Sequence, residues 1–174
     1  MSYKLSVIIP VFNAEDYIKE CLDSVVDQSL GIDNIEVIIV NDNSCDSTLD
    51  IISQYTDKYP SFKLISNKSN LGPGESRNMA LKEVSSDYVT YLDADDFISQ
   101  NAYEDALSKI NEFNADLLIY NWETYTGSDY VEPVNIHQQN TLENKLITDI
   151  KQNPKLFLST APWNKIYHRS LFKY

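Results

Sequence analysis

The sequence predicts an α/β domain built on a mostly parallel sheet, and three observations carry that prediction. Short, continuously apolar runs rich in β-branched residues recur at Leu5–Val11, at 35–40 and at 88–92, the pattern of strands covered on both faces. Stretches with apolar residues at three- and four-residue steps stand between them and supply the helical crossovers that parallel strands need. Polar loops rich in Asp and Asn follow the strands, so they open at one edge of the sheet, where such folds bind their ligands.

Taken in order, Leu5–Val11 reads as a central strand. Tyr17, Ile18, Cys21, Leu22, Val25 and Val26 line one face of a first helix, with Asn13 as a candidate cap and Glu15 and Asp16 in the first turn. The second strand at 35–40 leads into the turn Asn41-Asp42-Asn43-Ser44 and a helix whose core stripe is Leu49, Ile52, Tyr55 and Tyr59. A third strand at 62–65 and a polar loop at 67–74 precede a helix over 75–84 that buries Met79, Ala80, Leu81 and Val84. After the fourth strand at 88–92, Tyr103, Ala106, Leu107, Ile110 and Phe113 mark another helix, and 117–120 returns as a strand. Beyond Asn121 the pattern weakens: 122–134 fits an irregular hairpin and 142–157 a helix.

Composition narrows the function. A chain of 174 residues, 43% hydrophobic, suits one globular domain with a proper core. Its formal charge of −12 repels polyanions and argues against a nucleic-acid partner. Cys21 and Cys45 show neither metal-ligand spacing nor a disulfide framework, which favours buried or half-buried thiols in a reducing compartment. No apolar stretch approaches the about 20 residues of a membrane span, so the chain reads as soluble and cytoplasmic.

The most informative segment is 88–96, where a strand delivers Asp93, Asp95 and Asp96 to its carboxyl end. Hard cations such as Mg²⁺ or Mn²⁺ take oxygen ligands and commonly share one or two carboxylates with substrate phosphates, so the segment reads as a metal-mediated diphosphate anchor; a solvated acidic turn is the plainer alternative. Asp42, directly after a buried strand, suits an acceptor for an imide N–H of the kind uracil presents, or else an ordinary Asx turn. Arg77, early in a helix, suits a phosphate drawn to that helix's amino end, or else a surface ion pair. Gly72-Pro73-Gly74 lacks the third glycine of a dinucleotide loop and follows the wrong strand, and no Gly-Lys-Ser or Gly-Lys-Thr occurs. Both common nucleotide-binding loops are thereby disfavoured. His137 and His168 stand without relay or zinc-site partners. Pro162-Trp163-Asn164-Lys165-Ile166-Tyr167 either packs in the core or lines an acceptor groove by stacking on sugar faces.

Together, Ser6-Val7-Ile8-Ile9-Pro10-Val11-Phe12-Asn13 with Glu15, Asn41-Asp42-Asn43-Ser44 with Asp46-Ser47-Thr48, Asn70-x-Gly72 followed by Ser76-Arg77-Asn78, and Asp93-Ala94-Asp95-Asp96 resemble glycosyltransferase family 2. The 163–167 block is similar to a later motif of bacterial members that build surface polysaccharides or teichoic-acid-type polymers. The resemblance implies a GT-A fold and inverting transfer from a nucleoside-diphosphate sugar, most often a UDP-sugar, to a glycan, lipid-linked or polymer acceptor, with Mn²⁺ or Mg²⁺. By position it implies that Pro10, Val11 and Glu15 lie at the nucleoside, Asp42 at the uracil, and Arg77 at the base and phosphates. It further implies Asp93 at the ribose or a water on the metal, Ala94 beside it, Asp95 on the metal, and Trp163 and Lys165 on the acceptor side. Asn41 stands where the family's Asp-Asp-Gly-Ser turn has its first acid.

The resemblance divides the chain into a donor-binding core over 1–121 and the start of an acceptor-side region over 122–174. It places the general base in an Asp or Glu some distance beyond the Trp-x-Lys block, whereas 163–174 holds no acid. The reading therefore expects an amino-terminal piece of a longer enzyme, with Asp96 as the in-chain alternative base and peripheral membrane association through regions outside this chain. A non-catalytic nucleotide-sugar or glycan-binding module is the competing class, while a sugar nucleotidyltransferase would need a glycine-rich basic loop after the first strand that 10–14 lacks.

Overall fold

The apolar runs become strands with both faces covered. In the computed structural model, which describes residues 2–125, 130–131 and 160–172, β1 (Leu5–Val11) and β2 (Ile35–Asn41) are buried at every position. They pair in parallel from Leu5 opposite Ile35 to Val11 opposite Asn41. β3 (Phe62–Ser66) joins β2 and β4 (Tyr88–Tyr91) joins β1, both in parallel. Alternate side chains then enter two different cores. Leu5, Val7, Ile9, Val37 and Ile39 pack with α1 (Ile18–Val26), α2 (Thr48–Lys58) and α4 (Ala102–Phe113). Ile8, Ile38, Val40 and Val89 pack on the other face with Ala80 and Leu81 of α3 (Pro73–Leu81). Two helix layers explain why these strands show no polar alternation.

Several helix details depart from the periodic reading. Asn13 does not cap α1: Ile18 N–H instead donates to the Ala14 carbonyl at 2.9 Å, and the Asn13 amide is used between loops. Leu49 is exposed while Thr48 is buried, because the Thr48 hydroxyl accepts from the Ala14 N–H at 2.8 Å and draws that position inward. α3 starts at Pro73, in the first turn, where a missing N–H costs nothing. Val84 lies past its end but stays in the core, Met79 is half-buried, and Phe113 at the end of α4 is exposed. Of the two thiols Cys21 is buried and Cys45 is exposed.

The largest difference concerns the far side of the sheet, whose order is β3-β2-β1-β4-β8-β5. β8 (Lys165–His168) lies antiparallel between β4 and β5 (Leu117–Ile119). The sheet thus draws on both sides of residue 121, and the division expected there does not separate it. Lys-Ile-Tyr-His contains a single aliphatic residue, Ile166, which is fully buried, and so short a stretch carries no readable period. Within 122–134, β6 (Thr124–Tyr125) and β7 (Tyr130–Val131) form a small antiparallel ladder. The helix expected over 142–157 and His137 lie outside the described residues.

At the amino edge of the sheet Glu36 is fully buried. It accepts from Ser6 Oγ at 2.5 Å, Lys63 Nζ at 2.7 Å, and the Ser85 N–H and hydroxyl, each at 2.9 Å. Burial by itself raises its pKa, but Lys63 and these serines outweigh that effect and hold it below the ordinary value.

Candidate functional site

The loops at the carboxyl edge are bonded to one another, and those bonds fix what each presents. Asn13 takes a left-handed backbone, φ 47°, which Asn tolerates better than most residues. Its Oδ1 accepts from Cys45 N–H at 2.9 Å, and its own N–H donates to Ser44 Oγ at 3.0 Å. The Glu15 carboxylate accepts from the Ser47 N–H at 2.8 Å, and Asp46 accepts from the Glu15 N–H at 3.2 Å. Glu15, implied at the nucleoside, thus has its side chain engaged in a loop-to-loop staple at the entry to α2. Pro10 and Val11 end the buried β1, and the Val11 carbonyl accepts from Asp42 N–H at 2.8 Å.

Asp42 is 3% exposed. Its Oδ1 accepts from Asn67 Nδ2 at 2.7 Å and Leu71 N–H at 2.9 Å, and its Oδ2 from Gly72 N–H at 2.7 Å. Burial pushes the Asp42 pKa up, yet Asn67, Leu71 and Gly72 together hold it below the carboxylate range. It is therefore ionised, and with the buried Ser76 hydroxyl as a fourth partner its acceptor positions are taken up by its own chain. Gly72, at φ 86°, turns the chain into α3 in a conformation that favours glycine. Phe12 and Leu71, both next to backbone bonded to Asp42, remain 49% and 51% exposed.

From the second turn of α3, Arg77 reaches Asp93, with Nη2 2.5 Å from Oδ1 and the side chains 20% and 29% exposed. The guanidinium lies 6.0 Å from the Tyr91 ring centroid, within cation–π reach, and its Nε is buried without a partner. After β4 the chain closes a tight turn, Asp96 N–H donating to the Asp93 carbonyl at 3.0 Å. Ala94 is buried in that turn, while Asp95 and Asp96 are exposed. Neither side chain has a hydrogen-bond or ion-pair partner among the described residues. Although Asp96 keeps an open edge, the surrounding protein displaces much of its hydration; with Asp95 and then Asp93 adding negative charge, its pKa is pushed up to about 6. The same field reaches Cys21 beneath the turn, whose thiol is raised by burial and then by Asp96, Asp95 and Asp93, leaving it inert as a nucleophile.

A hard divalent cation fits this turn. Burial raises Asp96 first, and the charges of Asp95 and Asp93 add a like-charge penalty that a cation relieves. Among the described residues no three His, Cys, Asp or Glu side chains form a ready cage, as suits ions that share one or two carboxylates with substrate phosphates.

Trp163 and Lys165 sit on the far side of β4. The Trp163 carbonyl accepts from Tyr120 OH at 2.6 Å, and its ring meets Trp122 edge-to-face at 5.2 Å. Lys165 is buried as the first residue of β8. Its ammonium donates to the Ala161 carbonyl and, at 2.7 Å, to Asn164 Oδ1, and burial lowers its pKa. His168, expected in a surface or supporting role, bonds Ser170 through Nδ1 at 2.7 Å. The structure thus gathers Asp42, Arg77, Asp93, Ala94, Asp95 and Asp96 through bonds between loops, with Lys165 tied into the sheet beside them. Sequence reasoning passed over Asn67, Tyr91 and Trp122. Asn67 carried a usable signal, a polar residue just past β3 as Asp42 is just past β2.

Comparison with known proteins shows the family and the fold. The chain is 33% identical to the Streptococcus pneumoniae glycosyltransferase GlyA, over 98% of the chain and 25% of that protein. It is also 33% identical to the poly(ribitol-phosphate) β-N-acetylglucosaminyltransferase TarS of Staphylococcus aureus, over 98% of the chain and 28% of that protein. The crystal structure of TarS 1–349 in complex with UDP-GlcNAc superposes with a TM-score of 0.82 at 31% identity, covering 97% of this chain and 46% of that one. The chain spans about a quarter of the length of these curated relatives. No helix among the described residues is long and apolar enough to cross a membrane. With the family model for glycosyl transferase family 2 matching residues 6–174, the chain belongs to that family, and its sheet with flanking helices is the GT-A fold the motifs implied.

Proposed function

We propose that this domain binds a UDP-sugar with Mn²⁺ or Mg²⁺ and transfers the sugar, with inversion, to a hydroxyl of a glycan or cell-surface polymer. The observation that carries the reading is the turn after β4, which leaves Asp95 and Asp96 without a partner among the described residues beside an Arg77–Asp93 ion pair, in a chain matched by the family model over 6–174. The likeness to TarS, named for poly(ribitol-phosphate) and solved with UDP-GlcNAc, supports a UDP-sugar donor and a polymer acceptor of that kind. Such an acceptor suits work at the inner face of the membrane.

In this reading Asp42 lies at the uracil and accepts from the imide N–H in exchange for one of its own-chain donors, and the exposed faces of Phe12 and Leu71 cover the base. Asp93 serves the ribose or the cation, and Asp95 holds the cation. When bound, the cation supplies Lewis-acid stabilisation of the departing diphosphate. The acceptor oxygen attacks the anomeric carbon in line as the bond to the diphosphate oxygen breaks, and a carboxylate takes the hydroxyl proton. Within this chain Asp96 is the residue for that last role. Trp163 and Lys165 belong to the acceptor side, Lys165 by fixing the turn that carries Trp163.

Calorimetric titration of UDP with and without Mn²⁺, with Asp95→Ala and GDP as controls, tests the reading. Binding of UDP that requires Mn²⁺ and is lost in the variant is expected. UDP binding unaffected by metal or by the substitution overturns the metal assignment, and no UDP binding overturns the donor site.

A further inference from the structure

This inference rests on the donor-site reading, since it takes the cation at Asp95 as given. The Arg77 guanidinium is 2.5 Å from Asp93 Oδ1 and lies beside the Tyr91 ring. The helix that carries it is held at its amino end by Asp42, through Leu71 and Gly72. We propose that Arg77 is a positioning residue that masks Asp93 in the nucleotide-free protein, so that the guanidinium and the divalent cation compete for one carboxylate until the donor's diphosphate draws Arg77 to itself.

The argument is electrostatic. A cation approaching Asp93 meets a positive charge already at ion-pair distance, in a pair only 20% and 29% exposed, where water screens it incompletely. Asp95 and Asp96 alone then hold the cation, and weakly. A diphosphate offers the guanidinium more charge and a two-point geometry suited to its fork. Release of Asp93 therefore becomes favourable only when donor and cation arrive together, which couples their binding positively and reciprocally. The buried Arg77 Nε, without a partner among the described residues, leaves the guanidinium with a donor that Asp93 does not satisfy, a cost of the masked state that a diphosphate can relieve. Removing this cationic side chain should therefore tighten binding of the metal to the nucleotide-free protein.

The test is Mn²⁺ binding without nucleotide, read from the electron paramagnetic resonance signal of free Mn²⁺, for the wild type, Arg77→Gln, Asp93→Asn and the double variant. Arg77→Met, which keeps the apolar stem beside Tyr91, stands in if the glutamine variant fails to fold, and thermal melts check each protein. Arg77→Gln is expected to bind Mn²⁺ about fivefold or more tightly than the wild type, a coupling of ordinary size. The gain of the double variant over Asp93→Asn should be smaller than that of Arg77→Gln over the wild type, since only the charge repulsion and not the freeing of Asp93 remains, and UDP should improve Mn²⁺ affinity less in Arg77→Gln than in the wild type. Unchanged or weaker Mn²⁺ binding by folded Arg77→Gln or Arg77→Met overturns the proposal, as does a gain that persists undiminished in the Asp93→Asn background. If the wild type meanwhile binds UDP in a Mn²⁺-dependent manner, the masking fails and the donor site stands; absence of UDP binding by the wild type refutes the donor site itself.

Discussion

At the amino edge of the sheet, Glu36 is fully buried and meets Lys63, Ser6 and Ser85 on its two oxygens, so its pKa falls. At the carboxyl edge, Asp96 sits in a turn where partial burial, and then the charges of Asp95 and Asp93, push its pKa up to about 6. The chemistry of the carboxyl group is the same at both edges; its partners differ. A carboxylate saturated by its own chain adds to stability and has nothing to offer a ligand. One left among like charges costs stability and creates an attraction for whatever cation the solvent or substrate brings. Asp42 lies between the two, at the ligand edge but bonded by its own chain as Glu36 is, so it meets a ligand only by exchanging one of those donors.

The contrast is broken most severely at Asp95. Asp95→Ala should remove Mn²⁺-dependent UDP binding, by at least the order of 100-fold that even an outer-sphere partner contributes to a metal site, without lowering the melting temperature; calorimetry paired with a thermal melt reads both. Glu36→Ala should do the reverse, lowering stability in urea titration by about 3 kcal/mol, the low end for breaking a buried pair, because Lys63 is 47% exposed and can rehydrate. UDP affinity of its folded fraction should be unchanged.

Asp42→Asn should fall between these two. An amide cannot accept from Asn67, Leu71 and Gly72 as the carboxylate does, and unmet donors cost about 1–3 kcal/mol, so both stability and UDP affinity should decline together. A loss of affinity with no loss of stability would make Asp42 a pure ligand contact. The pH dependence of stability sharpens the comparison further. Because folding lowers the Glu36 pKa from its ordinary 4.5, its contribution is complete above that value and is lost as pH falls through the folded pKa. Urea midpoints measured below about pH 4.5 should therefore fall less steeply in Glu36→Gln than in the wild type. Glu15→Gln should have the smallest effect, about 0.5–1 kcal/mol, since an exposed carboxylate-to-amide change weakens one loop hydrogen bond.

Much of the fold was legible because burial of both faces leaves a local trace. β1 and β2 are apolar at nearly every position, and α1 and α4 repeat at helical steps. The acidic turn was legible for the same reason, since a strand ending in three carboxylates needs no tertiary information to stand out. β8 was not, because a four-residue strand with one aliphatic side chain is stabilised by its neighbours, β4 and β5, rather than by its own pattern. Asn13 was misplaced on similar grounds: it reads as the cap of its own helix, yet it bonds across the gap between the loops after β1 and β2, where Glu15 and Thr48 also make cross-loop bonds.

The sequence by itself determined the alternation of strand and helix, the two-sided burial of the central strands, and the delivery of Asp42, Arg77 and Asp93, Asp95 and Asp96 to one edge. These follow from side-chain periodicity, which is a property of neighbours along the chain. Only the tertiary structure decided which carboxylates remain available. Asp42, Glu15 and Asp93 found donors on other segments, whereas Asp95 and Asp96 found none among the described residues. Charge compensation depends on distances between residues remote in sequence, and no local pattern encodes them.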